Sequence, residues 1–373
     1  MNPEGLLSQL PLPPAGKTGW PWDEESDPSS YSNLKSLPKI SIVTPSFNQG
    51  KYIEKTIRSV LLQNYPQIEY IIIDGGSTDG TVDIIKKYSK WITYWRSEKD
   101  NGQTDAINKG IEKCSGEIFN WLNSDDYYSS DCFRILSENF EPGKTQLLAG
   151  NYRIFHEDNI KSEKVIEFSL QPTLEETLAI VLIKQPSCFF CLDSIKALGK
   201  LNVNLQYVMD QDIWKRFLFC FGQENINYVN SLLAHFRIHP GSKTYQFEFE
   251  KEYNMIFASI ARKCNMQRQA ECLETLHDIK DYGGYEFMYD FDERTTEIAK
   301  KAINNRLYQI ARGSYTSGNF ELLGKSLSAT NPKYLNSKQR NYLQRLRVKK
   351  LLSKLNVLPV LSFVAKAGKS VSF

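Results

Sequence analysis

Between residues 40 and 128 the chain alternates short apolar runs with polar loops and segments of helical period. ISIVT at 40–44 reads as a buried strand, and Ile53, Ile57, Val60 and Leu61 then recur at the spacing of one helix face. EYIIID at 69–74 is a β-branched run suited to a parallel strand covered on both faces. A helix from about Thr81, a strand in ITYWRS, a helix over 104–114 and a strand in GEIFNWL follow. This alternation predicts right-handed βαβ units and an α/β class, with a doubly wound, mostly parallel sheet and flanking helices.

Beyond Tyr128 the pattern is less regular. LLAGNYRIF and SCFFCL read as further strands, residues 210–221 as an amphipathic helix, and INYVN and LLAHFRIH as a pair of strands. Residues 247–355 are mostly helical, with breaks near Gly283-Gly284, over 313–318 and at Pro332. The first 38 residues are rich in Pro, Ser and Gly and cannot build a core, although Trp20 and Trp22 can pin this arm to a body. The expected organisation is an arm over 1–38, an α/β domain over 39–245, a helical region over 246–345 and a basic amphipathic tail over 346–373.

At 373 residues and 41% hydrophobic the chain can bury a sizeable core in more than one unit. Its net charge of +3 conceals an asymmetry. No acid follows Glu321, whereas eleven of the 46 Lys and Arg do, so the 43 acids up to and including it outnumber the remaining bases. A tail of that kind suits contact with an anionic membrane surface, or equally a basic helix packed on its own body. Seven cysteines without a repeated spacing suggest reduced thiols, and neither a signal segment nor an apolar run of about 18 residues is evident. The expected location is cytoplasmic, with peripheral contact at the inner face of the membrane.

Four strand-exit loops, TPSFNQG, DGGSTDG, SEKDNGQTD and NSDD, gather along one edge of a parallel sheet, where such sheets bind ligands. Pro45 and Phe47 offer a rigid corner and an aromatic face, Asn48 a donor and an acceptor, and Asp74 an acceptor for a nucleobase N–H. The glycines of the second loop let backbone approach a ligand, but the GxGxxG dinucleotide fingerprint is absent; a plain turn with Asp79 capping the next helix is the alternative. FNWLNSDD ends a buried run on two adjacent carboxylates, Asp125 and Asp126, whose repulsion a divalent cation would cancel. A solvated acidic turn is the alternative there. GKT at 16–18 fails as a phosphate loop because Pro11 stands where Gly is needed, and CFFC with HFRIH fails zinc-site spacing.

TPSFNQGKYIEKTIRSVLLQNYP, EYIIIDGGSTDGT, DNGQTDAINKG and WLNSDD, in this order, resemble the successive blocks of family 2 glycosyltransferases over about residues 40–244. The resemblance implies the GT-A fold, a nucleotide-diphosphate sugar donor, an inverting transfer assisted by Mn²⁺ or Mg²⁺, and a role in bacterial surface-polysaccharide assembly. It assigns donor binding to Thr44, Pro45, Phe47, Asn48, Asp74, Gly76, Ser77, Asp105, Asn123 and Asp125. Metal binding falls to Asp126, Asp125 and His239. YVMDQDIWKRF at 207–217 matches the acidic block that supplies the general base, here Asp210, with Met209 in place of the usual Glu. Asp212 is the second choice for the base, and a helix N-cap is the plain reading of Asp210.

HFRIHPGSKT at 235–244 resembles a loop that closes over the diphosphate, with Arg237 and Lys243 adding positive charge. Asn123 replaces the family's usual first acidic residue. A saccharide or lipid-linked saccharide acceptor is implied, and no nucleic acid partner. The departures at Asn123 and Met209 leave a non-catalytic nucleotide-sugar-binding protein as the rival. A nucleotidyltransferase would want a basic Gly-rich loop after the first strand, which TPSFNQG is not.

Overall fold

The structure is a computed structural model that describes residues 5–156, 163–180, 184–242 and 247–354. The chain divides into two compact units, Met1–Leu170 with Leu182–Phe249, and Gln171–Val181 with Glu250–Phe373.

The first unit follows the alternating pattern closely at its start. Its elements are β1 (Ile40–Ser46), α1 (Ile53–Leu61), β2 (Ile68–Asp74), α2 (Thr81–Tyr88), β3 (Tyr94–Ser97), α3 (Gln103–Ile111) and β4 (Ile118–Trp121). Then come β5 (Tyr127–Tyr128), α4 (Cys132–Asn139), β6 (Leu147–His156) and β7 (Lys164–Ile166). After α5 (Leu174–Leu178), which lies in the second unit, the first resumes with β8 (Cys188–Cys191), α6 (Leu192–Leu198), α7 (Met209–Phe221) and β9 (Ile226–Ile238). Strands order as β3-β2-β1-β4-β8-β6-β9-β5, with β7 beside β6.

From β3 to β4 the sheet is parallel, as the βαβ pattern requires. Beyond β4 it is mixed: β8 runs antiparallel to both β4 and β6, β9 parallel to β6, and β5 antiparallel to β9. The mostly parallel expectation therefore holds for one half only. The antiparallel β5–β9 pairing aligns Tyr127 with His235, which brings the loop before β5 beside the end of β9.

INYVN and LLAHFRIH form one 13-residue strand rather than two. The polar Asn230-Ser231 break is a bulge, not a turn: register against β6 shifts on either side of Asn151, and Asn151 Nδ2 donates to Asn230 Oδ1 at 2.9 Å. The apolar face of α1, with Ile53, Ile57, Val60 and Leu61, packs into a core that includes Ile42, Tyr70, Ile72, Phe133 and Phe189. Each such side chain contributes roughly 1.5–3 kcal/mol through burial.

The arm is fastened by a buried cation. Arg58 is fully buried and donates to the carbonyls of Pro21 at 2.9 Å, Trp22 at 2.6 Å and Pro11 at 2.9 Å. Trp20 Nε1 adds a bond to Tyr128 O at 2.7 Å. A guanidinium out of water needs such acceptors, and a segment without secondary structure has carbonyls to spare.

The second unit is helical, with α5, α8 (Phe247–Lys263) from Glu250 onward, α9 (Gln267–Leu276), α10 (Glu293–Thr316), α11 (Phe320–Ala329) and α12 (Ser337–Lys354). Asp292 caps α10, accepting from Thr295 N at 2.7 Å. The break expected from 313 falls later. Gly313 lies inside α10, where one glycine costs only about 1 kcal/mol, and the chain turns at Gly318 with φ +76. Tyr308, Ala311, Leu323, Leu327, Leu335, Leu343 and Leu346 form this unit's cluster, so Leu346, the expected start of the tail, is core. Residues 355–373 of the tail lie outside the described residues. No helix among the described residues is long and apolar enough to cross a membrane, and all seven cysteines are unpaired.

Candidate active site

The exits of β1, β2 and β4 are neighbours because the three strands are adjacent and parallel. The first two loops are interlocked. Asn48, at φ 51, donates its N–H to Ser77 Oγ at 2.7 Å and accepts from Thr78 N at 2.9 Å through Oδ1. Gln49 N donates to Thr81 Oγ1 at 2.8 Å, and Gly50 N to Asp79 Oδ2 at 2.9 Å. A Cβ on Gly50 would sit 2.8 Å from Asp79 O, so the close approach requires glycine.

Asp74 is buried and organises its own loop. Its carboxylate accepts from Gly76 N at 3.1 Å, Ser77 N at 2.9 Å, Ser77 Oγ at 2.5 Å and Ser97 Oγ at 2.6 Å. Gly76 has φ +86, a conformation an L side chain rarely adopts. Thr44 Oγ1 lies 3.1 Å from Tyr70 OH, and Pro45 is enclosed within β1. Ser46, paired in register with Asp74, keeps a buried hydroxyl without a partner among the described residues. Phe47 is 60% exposed, an aromatic face at the strand exit with no core to fill.

In the third loop, Asp105 is occupied by Asn101 N at 3.1 Å and by Lys109 at 3.1 Å. Asp100 reaches further in: a Cβ on Gly75 would meet its carboxylate oxygens at 3.0 Å. Burial raises the Asp100 carboxyl above its ordinary range; Gly102 N–H and Lys109 oppose this, while the charges of Asp105 and Asp74 add to it.

The fourth loop is tied to α1, since Thr56 Oγ1 donates to Ser124 O at 3.0 Å and Asp126 O at 2.6 Å. The two carboxylates have different surroundings. Asp126 is 1% exposed, and its Oδ1 accepts the Arg237 N–H of β9 at 2.9 Å. Burial, with the charge of Asp125 adding, pushes the Asp126 carboxyl well above the usual carboxylate range against the opposing Arg237. Asp125 is more open, and its Oδ2 lies 3.0 Å from His239 Nε2. Asn123 bridges onward, accepting from Gln103 Nε2 at 2.8 Å, with its Nδ2 3.4 Å from Asp126 Oδ2. Arg237 Nε donates to Asp125 O at 2.8 Å, and its guanidinium lies 4.7 Å from the ring centroids of both Tyr52 and Phe155. The Tyr52 and His239 rings are 4.9 Å apart.

A carboxylate oxygen and an imidazole nitrogen that converge at 3.0 Å form a donor pair suited to Mn²⁺ or Mg²⁺. Among the described residues no group of three or more His, Cys, Asp and Glu side chains could hold a metal ion alone. A pair is the donor number expected where phosphate oxygens and water complete the shell, so these residues fit a cation that binds together with a diphosphate.

The two carboxylates of α7 are likewise distinct. Asp212 is fully buried and bound to Arg216, with Oδ2 at 2.8 Å from Nε and 2.6 Å from Nη2. Asp210 is partly exposed and accepts from Gln211 N at 2.8 Å and Gln211 Nε2 at 3.2 Å. Burial raises its carboxyl above the ordinary value, and Lys184 opposes the shift. Val208, not Asp210, occupies the N-cap of α7.

The resemblance assigned Asn123, Asp125, Asp126 and His239 to donor and metal, and in the structure these residues share contacts, as do Asn48, Asp74, Gly76 and Ser77 of its donor set. It missed Ser46, Tyr52, Asp100 and Gln103. The quoted blocks contain all four, but nothing in their spacing marks which polar residue of a loop turns inward.

Residues 41–196 match the family model "Glycosyl transferase family 2". An uncharacterized glycosyltransferase of Rickettsia typhi is 27% identical over 255 residues, covering 65% of this chain and 77% of the relative. TuaG of Bacillus subtilis, whose name ascribes it provisionally to teichuronic acid biosynthesis, is 28% identical over 211 residues, covering 54% of this chain and 79% of TuaG. Residues 1–349 of S. aureus TarS, crystallised with UDP-GlcNAc, share the fold at a TM-score of 0.55 and 16% identity, covering 84% of this chain and 88% of that one. Over residues 41–196 the chain thus resembles a family 2 glycosyltransferase domain, and the fold is of the GT-A kind.

Proposed function

We propose, taking that domain as the starting point, that the protein moves a sugar from a nucleotide-diphosphate donor to a saccharide or lipid-linked saccharide acceptor, with inversion at the anomeric carbon. The observation that carries this reading is the convergence of Asp125 and His239 at the exit of β4, next to the interlocked loops of β1 and β2. Phe47 supplies a face for a nucleobase, and the unpartnered Ser46 hydroxyl beside Asp74 supplies a polar contact. Asp125 and His239, with Asp126 behind them, would hold a divalent cation, which when bound neutralises the departing diphosphate.

Asp210 serves as the base. The acceptor hydroxyl attacks the anomeric carbon from the face opposite the diphosphate and gives its proton to the Asp210 carboxylate as the new C–O bond forms. Burial makes that carboxylate a better proton acceptor than a solvated Asp, and the two donors of Gln211 fix its orientation. Asp212 cannot fill the role, because Arg216 occupies it. The name of TuaG and the donor bound to TarS suggest a UDP-sugar and a cell-surface polysaccharide.

The test is a panel of nucleotide sugars with the full chain and Mn²⁺, read by thermal shift and by release of nucleoside diphosphate. One donor should raise the melting temperature and be turned over. Stabilisation without turnover across a broad acceptor panel would favour a binding protein instead.

A further inference from the structure

The helical unit contains a cleft of about 980 Å³ between the start of α9, the 289–291 segment, α10 and the turn before α12. We propose that this cleft binds an anionic saccharide, a run of sugar rings that carry carboxylate or phosphodiester groups. Three cations line it, Lys263, Arg268 and Lys300, against one carboxylate, Asp290. Lys263 is held by the carbonyls of Phe287 at 2.9 Å and Tyr289 at 3.2 Å and pairs with Glu286 at 3.1 Å. Arg268 and Lys300 have no salt-bridge partner among the described residues, so two positive charges face a concave surface unneutralised.

The rest of the lining selects sugar over a simple ion. Tyr289, Phe291 and Tyr334 present ring surface, and Tyr289 packs edge-on against Phe291 at 5.0 Å, which fixes both rings. The amide of Asn265 offers a donor and an acceptor for hydroxyls, and Asn331, whose Oδ1 accepts from Lys333 N at 3.1 Å, offers its Nδ2. The first turn of α9 also opens here, with no acidic side chain and no side-chain cap to occupy its N–H groups. Aromatic faces, amides and unpaired cations together match a charged glycan, and the volume falls within the range of sites for small ligands.

As acceptor or product this ligand rests on the transferase reading; binding itself does not, and the two are measured separately. Full-length protein is titrated calorimetrically with a tri-galacturonate, a phosphodiester-linked trisaccharide and neutral maltotriose. One or both anionic oligomers should bind, and maltotriose should not. Arg268→Glu with Lys300→Glu should weaken binding at least tenfold while UDP affinity and melting temperature stay native. Arg268→Gln with Lys300→Gln provides the same test if the charge reversal impairs folding. Equal binding of maltotriose, or native affinity for the anionic oligomers in both double variants, would overturn the proposal. Glycan binding without any transfer activity would defeat the transferase reading and leave the cleft assignment standing.

Discussion

The carboxylate of Asp125 and the imidazole of His239, 114 residues apart in the chain, meet at 3.0 Å. Their backbones are brought together by the β5–β9 ladder, and the rings of Tyr52 and His239 pack 4.9 Å apart. His239→Ala and Asp125→Asn should each lower turnover by at least tenfold and abolish stabilisation of the protein by Mn²⁺ added with nucleoside diphosphate. EDTA should stop turnover by the native protein, and Mn²⁺ or Mg²⁺ should restore it. Undiminished activity in EDTA would remove the cation from the scheme.

Asp210 and Asp212 stand two residues apart with opposite expected consequences. Asp210→Asn should lower kcat by ~10²–10⁴ while donor affinity and melting temperature hardly change. Asp212→Asn strands the buried Arg216 and should cost about 3–5 kcal/mol of stability, read by denaturant titration. Because the Asp210 carboxyl is raised by burial, the acidic limb of kcat/KM should lie above the ordinary Asp range and vanish in Asp210→Asn. An inactive but stable Asp212→Asn beside an active Asp210→Asn would reverse the assignment.

Arg58 is the arm's anchor. Arg58→Met keeps most of the volume but leaves the carbonyls of Pro11, Pro21 and Trp22 without that donor. The change should cost roughly 2–4 kcal/mol and speed limited proteolysis between residues 10 and 22. Native protease resistance in this variant would show that Trp20 and its neighbours suffice.

Glu69 sets an acid limit on the first unit. Burial alone would raise its carboxyl, but Lys39 at 2.7 Å, Ser115 Oγ at 2.6 Å and Ser41 Oγ at 2.5 Å outweigh it and hold the carboxyl at about 2. A depressed folded value stabilises fully above the unfolded value near 4.5 and loses that contribution as pH falls toward 2. The melting-temperature gap between native protein and Glu69→Gln should therefore be widest above pH 5 and close between pH 4.5 and 2. A gap independent of pH over that interval would mean the network contributes only through packing.

Much of this was legible in the residues. The β-branched run of β2 and the periodic face of α1 admit few other structures, and four loops at the ends of successive strands had to share an edge. What stayed hidden depended on direction. Asp125 and Asp126 are chemically identical neighbours, yet only one is turned inward, because a backbone N–H from β9 waits for it there. The resemblance assigns Asp105 to the donor without showing that Lys109, one turn along, pairs with it, while Asp100 reaches toward Gly75. Asn230-Ser231 looked like a turn because a bulge and a turn interrupt an apolar run in the same way; only the presence of one continuous partner, β6, separates them.

The bulge in β9 has a further consequence for how this chain can change over time. On both sides of Leu232, which pairs with Asn151, the strand already absorbs surplus residues, so a length change near 230–233 has somewhere to go. From Ala234 to Ile238 the ladder is uninterrupted, and each step exchanges one face for the other. A single-residue insertion or deletion there would turn His235 and Arg237 to the wrong sides and carry His239 away from Asp125. Point substitutions along this stretch can be tuned one at a time, but its length is fixed. Natural variants of this protein should therefore differ in identity after Ala234 and in length only before it.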